Sequence, residues 1–244
     1  MGRERGFTII EVVLFLAIAG SLFALLMVGI STGIAQQRYS ESVRSYKALL
    51  QDQYLAAVNI RNQKTDTDKC DPLTGRTDGT ARNDWGASAC VILGRVIQVV
   101  PGRNGETVEV SSVVGIDPGS QSASGGDLAA LRAYKPVMAT FDKQSIDLDW
   151  GARLTTASGA SSQAATTTVL ILRSPVSGLM RVFTEASKPA DLLDMITDTS
   201  ASRKLSNCIV GDTSLPKQMV TIDPSIASVD GITVDGGTNA DCQA

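Results

Sequence analysis

The chain predicts an α+β fold, a long N-terminal α-helix followed by a domain rich in antiparallel β-strands. From Phe7 to Ala35 the only charged side chain is Glu11, and the run exceeds the roughly 20 apolar residues that a bilayer-spanning helix needs. From Gln36 the composition turns polar, yet apolar residues keep a helical period. Beyond about residue 63, short β-branched runs alternate with Gly, Pro, Asp and Asn breaks, the pattern of a loop-rich sheet protein.

The first element is the apolar helix. A carboxylate near the head of a membrane helix costs on the order of 3 kcal/mol, so Glu11 calls for a function. No A-x-A site followed by a charged mature start appears before Gln36, so the run reads as retained rather than as a cleaved secretory signal. Met1-Gly2 suggests myristoylation only superficially, because Gly6 stands where that motif has Ser or Thr. Between Leu22 and Ile34 there is no proline. Gly20, Gly29 and Gly33 are the weak points, each costing about 1 kcal/mol relative to Ala.

The helix is predicted to continue to about Asn62. Tyr39, Val43, Tyr46, Leu50, Ala57 and Ile60 recur at helical spacing, with a gap at Gln53 and Tyr54. Arg38, Glu41, Arg44, Lys47 and Asp52 lie between them. Such a stripe must pack on something, and it is too short for a coiled coil.

The order of the remaining elements follows from composition. Residues 89–100 and 107–116 read as a hairpin around the turn Pro101-Gly102-Arg103-Asn104-Gly105. Residues 117–126 read as a loop, and 127–133 as a short helix with Asp127 as its cap. Strands are expected at 137–141 and 146–150, then at 166–172 and 179–184 around a Pro175–Gly178 turn. A short helix is expected at 190–196, and edge-like strands at 208–210, 219–222 and 232–234. Trp85 and Trp150 read as core or interface packing.

Composition excludes whole classes of chemistry. The net charge is −3 and histidine is absent, which removes Ser-His triads and the usual His-containing zinc sites. No spacing marks a catalytic dyad, so no enzyme activity is expected. Asp66, Asp68, Asp71 and Asp78 crowd the loop around Cys70, and oxygen-rich loops bind calcium. Cys70, however, stands where a third oxygen ligand belongs, so these acids read as solvated turn residues, as do Asp223, Asp230, Asp235 and Asp241. No cofactor is expected, with calcium at the Cys70 loop kept as the lesser alternative. Arg95, Arg103, Arg132, Arg153, Arg173 and Arg181 form no run that would mark a nucleic-acid surface, although folding could gather some of them into a patch.

Cys70, Cys90, Cys208 and Cys242 allow three connectivities. Pairing Cys70 with Cys90 and Cys208 with Cys242 closes two modest loops rich in Asp, Gly and Asn. Each bridge contributes about 3 kcal/mol in the loop-entropy account.

Arg3-Glu4-Arg5-Gly6 followed by Phe7-Thr8-Ile9-Ile10-Glu11 resembles the leader and cleavage signature of type IV pilins and pseudopilins. The resemblance covers about the first quarter of the chain. It implies that residues 1–6 are a leader removed by a prepilin peptidase between Gly6 and Phe7, and that Phe7 becomes an N-methylated terminus. Residues 7–35 would then be the transmembrane and assembly helix and 36–62 its amphipathic continuation. Residues 63–244 would form the β-rich pilin head on which that continuation packs. Arg3 and Arg5 would hold the leader on the cytoplasmic face, leaving the head extracytoplasmic until the subunit enters a surface filament. Glu11 would meet the Phe7 amine of a neighbouring subunit inside an apolar bundle, where neither charge is stable alone. The Cys208–Cys242 loop would match the terminal disulfide loop of many pilins.

The implied function is structural: a subunit, more in keeping with a minor than a main pilin, of a type IV pilus or related filament. Its partners are other pilin subunits, the peptidase and an assembly platform with its motor. A pseudopilin of type II secretion or DNA uptake is the alternative within the architecture. A membrane-tethered binding domain that does not polymerise is the alternative outside it. Many family members carry a proline in the second half of the apolar segment, and this chain departs from them there.

Overall fold

A computed structural model of the chain describes residues 8–60, 69–70, 83–84, 90–102, 106–119, 125–156, 166–210 and 217–236. They fall into two units, Met1–Glu41 and Ser42–Ala244, and helix α1 (Ile9–Val58) contributes to both. In the first unit α1 runs unbroken through Gly20, Gly29 and Gly33, where an added Cβ would meet nothing within 4 Å. Its large apolar side chains from Ile9 to Met27, with Ile30 and Ile34, are exposed. The helix is long and apolar enough to cross a membrane. It ends at Val58 rather than near Asn62.

The second unit is built on two antiparallel sheets. The larger contains β3 (Cys90–Pro101), β4 (Glu106–Ile116), β5 (Val137–Met138), β6 (Gln144–Asp147), β8 (Thr167–Arg173) and β9 (Met180–Glu185). Its order is β5-β4-β3-β8-β9, with β6 also pairing β4. The smaller sheet has the order β12-β11-β10-β7, from β7 (Arg153–Thr156), β10 (Leu205–Val210), β11 (Gln218–Ile222) and β12 (Ile232–Gly236). A two-residue ladder joins β1 (Lys69–Cys70) to β2 (Asn83–Asp84).

The larger sheet is covered on both faces, which explains why its strands read as unbroken apolar runs. On one face Leu50 and Tyr54 of α1 line a small cavity with Ile97, Val169, Ile171 and Val182. On the other, Val96, Leu170, Leu172 and Phe183 pack against Leu131 of α2 (Gly126–Ala133) and against Leu192 and Met195 of α3 (Leu192–Met195). Full burial of each such side chain stabilises by about 1.5–3 kcal/mol. The β3–β8 contact is close at Gly94, beside a bulge in β3. A Cβ there would sit 1.9 Å from Ile171 O, so only glycine fits.

Several expectations change. Gln53 and Tyr54 are both buried, so the gap in the helical stripe is filled by polar and aromatic residues that also face the core. The two strands expected at 137–141 and 146–150 are β5 and β6, two pieces of one broken edge strand along β4. The break is held by Asp142, whose carboxylate accepts from Arg95 Nη1 at 2.6 Å, Ser112 N at 2.9 Å and Ser112 Oγ at 2.5 Å. Asp127 is not the cap of α2, since Gly125 occupies that position. Strand β7 and helix α4 (Asp198–Ser202) were not anticipated.

Trp150 is not in the core. It is exposed, on a 3₁₀ turn at Asp149–Gly151.

Candidate functional site

The helix start is the best-defined candidate site. Thr8 precedes α1 and Glu11 lies in its first turn. Glu11 N donates to Thr8 Oγ1 at 3.4 Å, while Thr8 N and Thr8 Oγ1 donate to Glu11 Oε2 at 3.4 and 3.5 Å. This reciprocal arrangement is a capping box, which satisfies backbone N–H groups that the first turn leaves without helical partners. The Thr8-x-x-Glu11 spacing is itself the sequence signature of that motif. Both Thr8 contacts fall on Oε2. Among the described residues no hydrogen bond reaches Oε1. Gly6 and Phe7 lie outside the described residues.

The remainder of the site is the apolar surface beyond Glu11. Leu14, Phe15, Leu16, Ile18, Leu22, Phe23, Leu25 and Leu26 are all exposed. A helix apolar all round is stable only in lipid or in a bundle.

The second unit grips the rest of α1 through polar as well as apolar contacts. Asn207 Nδ2 on β10 donates to Tyr46 OH at 2.9 Å, deep in the core. Tyr54 OH donates to Ala227 O. Among the described residues Cys90 and Cys208 are disulfide-bonded. The side chain of Cys70 and all of Cys242 lie outside the described residues.

Several of the acidic and basic residues singled out in the sequence are engaged within the second unit. Asp127 accepts from Ser174 Oγ at 2.7 Å and pairs with Arg181 at 3.0 Å. The serine hydroxyls and then Arg181 hold its carboxyl below the usual range. Lys204 pairs with Asp223 at 2.8 Å and, with Ser225, lowers that carboxyl too. Arg132 donates to Ile196 O and Arg173 to Gly178 O. Asp66, Asp68, Asp71, Asp78, Asp241 and Arg103 lie outside the described residues. Among the described residues no group of three acidic or cysteine side chains is placed to hold a metal ion.

No protein-family model, curated protein or solved structure matches the chain.

Proposed function

We propose that the chain is a structural subunit, in keeping with a minor pilin, of a type IV pilus or related filament. The capped carboxylate at the head of an exposed apolar helix carries this reading. Thr8 engages Oε2 of Glu11, and in the proposed filament Oε1 takes the Phe7 amine of a neighbouring subunit. Before assembly the apolar half of α1 resides in the membrane, with the second unit outside the cytoplasm. After assembly, neighbouring helices replace the lipid. The work is mechanical and calls for no cofactor. Disulfides Cys70–Cys90 and Cys208–Cys242 would staple the head. A pseudopilin of a secretion or DNA-uptake system uses the same chemistry and differs in what it assembles with.

Mass spectrometry of protein recovered from cells tests the proposal. The expected N-terminus is Phe7 carrying one methyl group. A chain that still begins at Met1 while filaments form normally overturns it, and leaves α1 as a simple tether for a binding domain.

A further inference from the structure

One row of side chains crosses the larger sheet without belonging to its apolar core. The strand registers set Glu109 of β4 opposite Gln98 of β3, Gln98 opposite Thr168 of β8, and Thr168 opposite Glu185 of β9. Residues directly opposite one another share a face, with Cβ atoms about 5 Å apart. Two positions along each strand, Val96, Leu170 and Phe183 form the apolar layer that packs against α2 and α3. Valine or leucine at positions 98 and 168 would extend that layer. Glutamine and threonine stand there instead.

The two central members of the row are sealed from solvent. Gln98 is 2% exposed and Thr168 is 0% exposed. Gln98 Oε1 has no hydrogen-bond partner among the described residues, a net cost for a buried amide and a feature that native cores rarely retain without a reason. Thr168 Oγ1 donates its proton to Ser187 O at 2.9 Å. The outer members are carboxylates, each holding a cation on Oε1: Lys143 lies 2.9 Å from Glu109 and Arg203 lies 3.2 Å from Glu185.

A hydroxyl nucleophile, an amide carbon and a carboxylate beside each are the parts of an acyl transfer. Fixed opposition across a ladder supplies the proximity that lets a sluggish amide react without a cofactor. We propose that Thr168 and Gln98 become joined by an ester bond. Thr168 Oγ1 attacks Gln98 Cδ while Glu185 takes the hydroxyl proton. The Cδ–Nε2 bond then breaks and the nitrogen leaves as ammonia, carrying that proton, with Glu109 beside Gln98 to accept from its N–H groups. One C–O bond replaces one C–N bond, and nothing is oxidised or reduced. The product closes β3 on β8 at the centre of the sheet. It is a cross-link that needs no oxidant, and it stands whether or not the chain enters a filament.

Trypsin provides the test, because cleavage after Arg95, Arg103, Arg153 and Arg173 isolates peptides 96–103 and 154–173. Full-length protein recovered from cells is digested at near-neutral pH and the peptides are weighed by mass spectrometry. The expected product is the two peptides joined, lighter than their sum by one ammonia. Hydroxylamine should separate them and leave Gln98 as a hydroxamate. Thr168→Ser keeps the nucleophile and should keep the link, whereas Thr168→Val and Gln98→Leu should lose it. Recovery of peptide 96–103 only in free form, at its sequence mass, overturns the proposal. So does a link that resists hydroxylamine or persists in Thr168→Val, because the nucleophile is then an amine such as Lys143 rather than the threonine hydroxyl.

Discussion

Helix α1 carries two apolar surfaces with opposite fates. Leu14, Leu16, Leu22 and Leu25 are exposed, whereas Val43, Tyr46, Leu50 and Ala57 are buried in the second unit. Composition and spacing together account for the difference. The first stretch is apolar around its whole circumference, so no single face of a sheet satisfies it. The second has one apolar stripe with charges between, and its own domain supplies the matching surface. The helix thus passes from a segment that needs an external apolar solvent to one that brings its own.

The largest expected effect tests the buried surface. Tyr46→Ala should destabilise the second unit by about 3–5 kcal/mol, the range for truncating a buried aromatic, and it removes the shorter of the two hydrogen bonds that Asn207 Nδ2 donates. Leu16→Ala, in the same detergent, should move the denaturation midpoint by no more than about 0.5 kcal/mol. Comparable shifts for the two would erase the distinction drawn between the surfaces.

The disulfides sharpen the same contrast, because all four cysteines belong to the second unit. Peptide mapping without reduction should recover Cys70 linked to Cys90 and Cys208 linked to Cys242. Reduction should then cost the second unit about 3 kcal/mol per bridge and leave the helicity of the first unit unchanged. A Cys90–Cys208 peptide would refute the pairing.

How much of this was legible beforehand depended on whether the signal was local. The apolar run, the stripe from Tyr39 to Ala57 and the hairpins β3–β4 and β8–β9 are written in residues a few positions apart, and the structure contains each of them. What escaped depended on distant partners. The break between β5 and β6 is decided by Arg95 and Ser112, more than 25 residues from Asp142. Asp127 looked like a cap, but Ser174 and Arg181 compete for it. That Trp150 lies at the surface rather than in the core is also decided at a distance, where Leu148 N and Ala152 O bond the backbone of Glu106. The capping box was the exception: Thr8 and Glu11 are neighbours, and the pattern was readable but eclipsed by the membrane argument.

Acid titration should reveal a smaller effect, again confined to the second unit. Asp127 and Asp223 have lowered carboxyl pKa values, so their stabilisation is present above the ordinary carboxylate range and is lost as pH falls through the depressed values. Asp127→Asn should therefore cost about 1 kcal/mol or less at neutral pH, and nothing once the parent is protonated. Glu106 has the opposite sign. Burial raises its carboxyl pKa, so ionisation costs stability at neutral pH and that cost fades as pH falls through the raised value. Glu106→Gln should accordingly melt higher than the parent at neutral pH, with the gap closing on acidification. A gap that widens instead would mean that the carboxylate charge stabilises this junction.

The smallest effect on folding is the one that bears most on function. Thr8→Ala removes the cap and should cost the helix start about 1 kcal/mol, seen as faster hydrogen exchange at Glu11 and Val12 with the melting of the second unit unchanged. Glu11→Gln is the more discriminating change. Glutamine accepts the Thr8 hydrogen bonds as glutamate does and completes a capping box equally well, so exchange at the helix start and head melting should both match the parent. Only the charge is gone. If the carboxylate meets a neighbouring amine, the glutamine chain should be processed and folded yet yield few filaments. If it serves the cap alone, Glu11→Gln should assemble like the parent while Thr8→Ala and Glu11→Ala assemble poorly. The two roles assigned to one side chain, closing its own helix and recognising the next, are separable by a single amide.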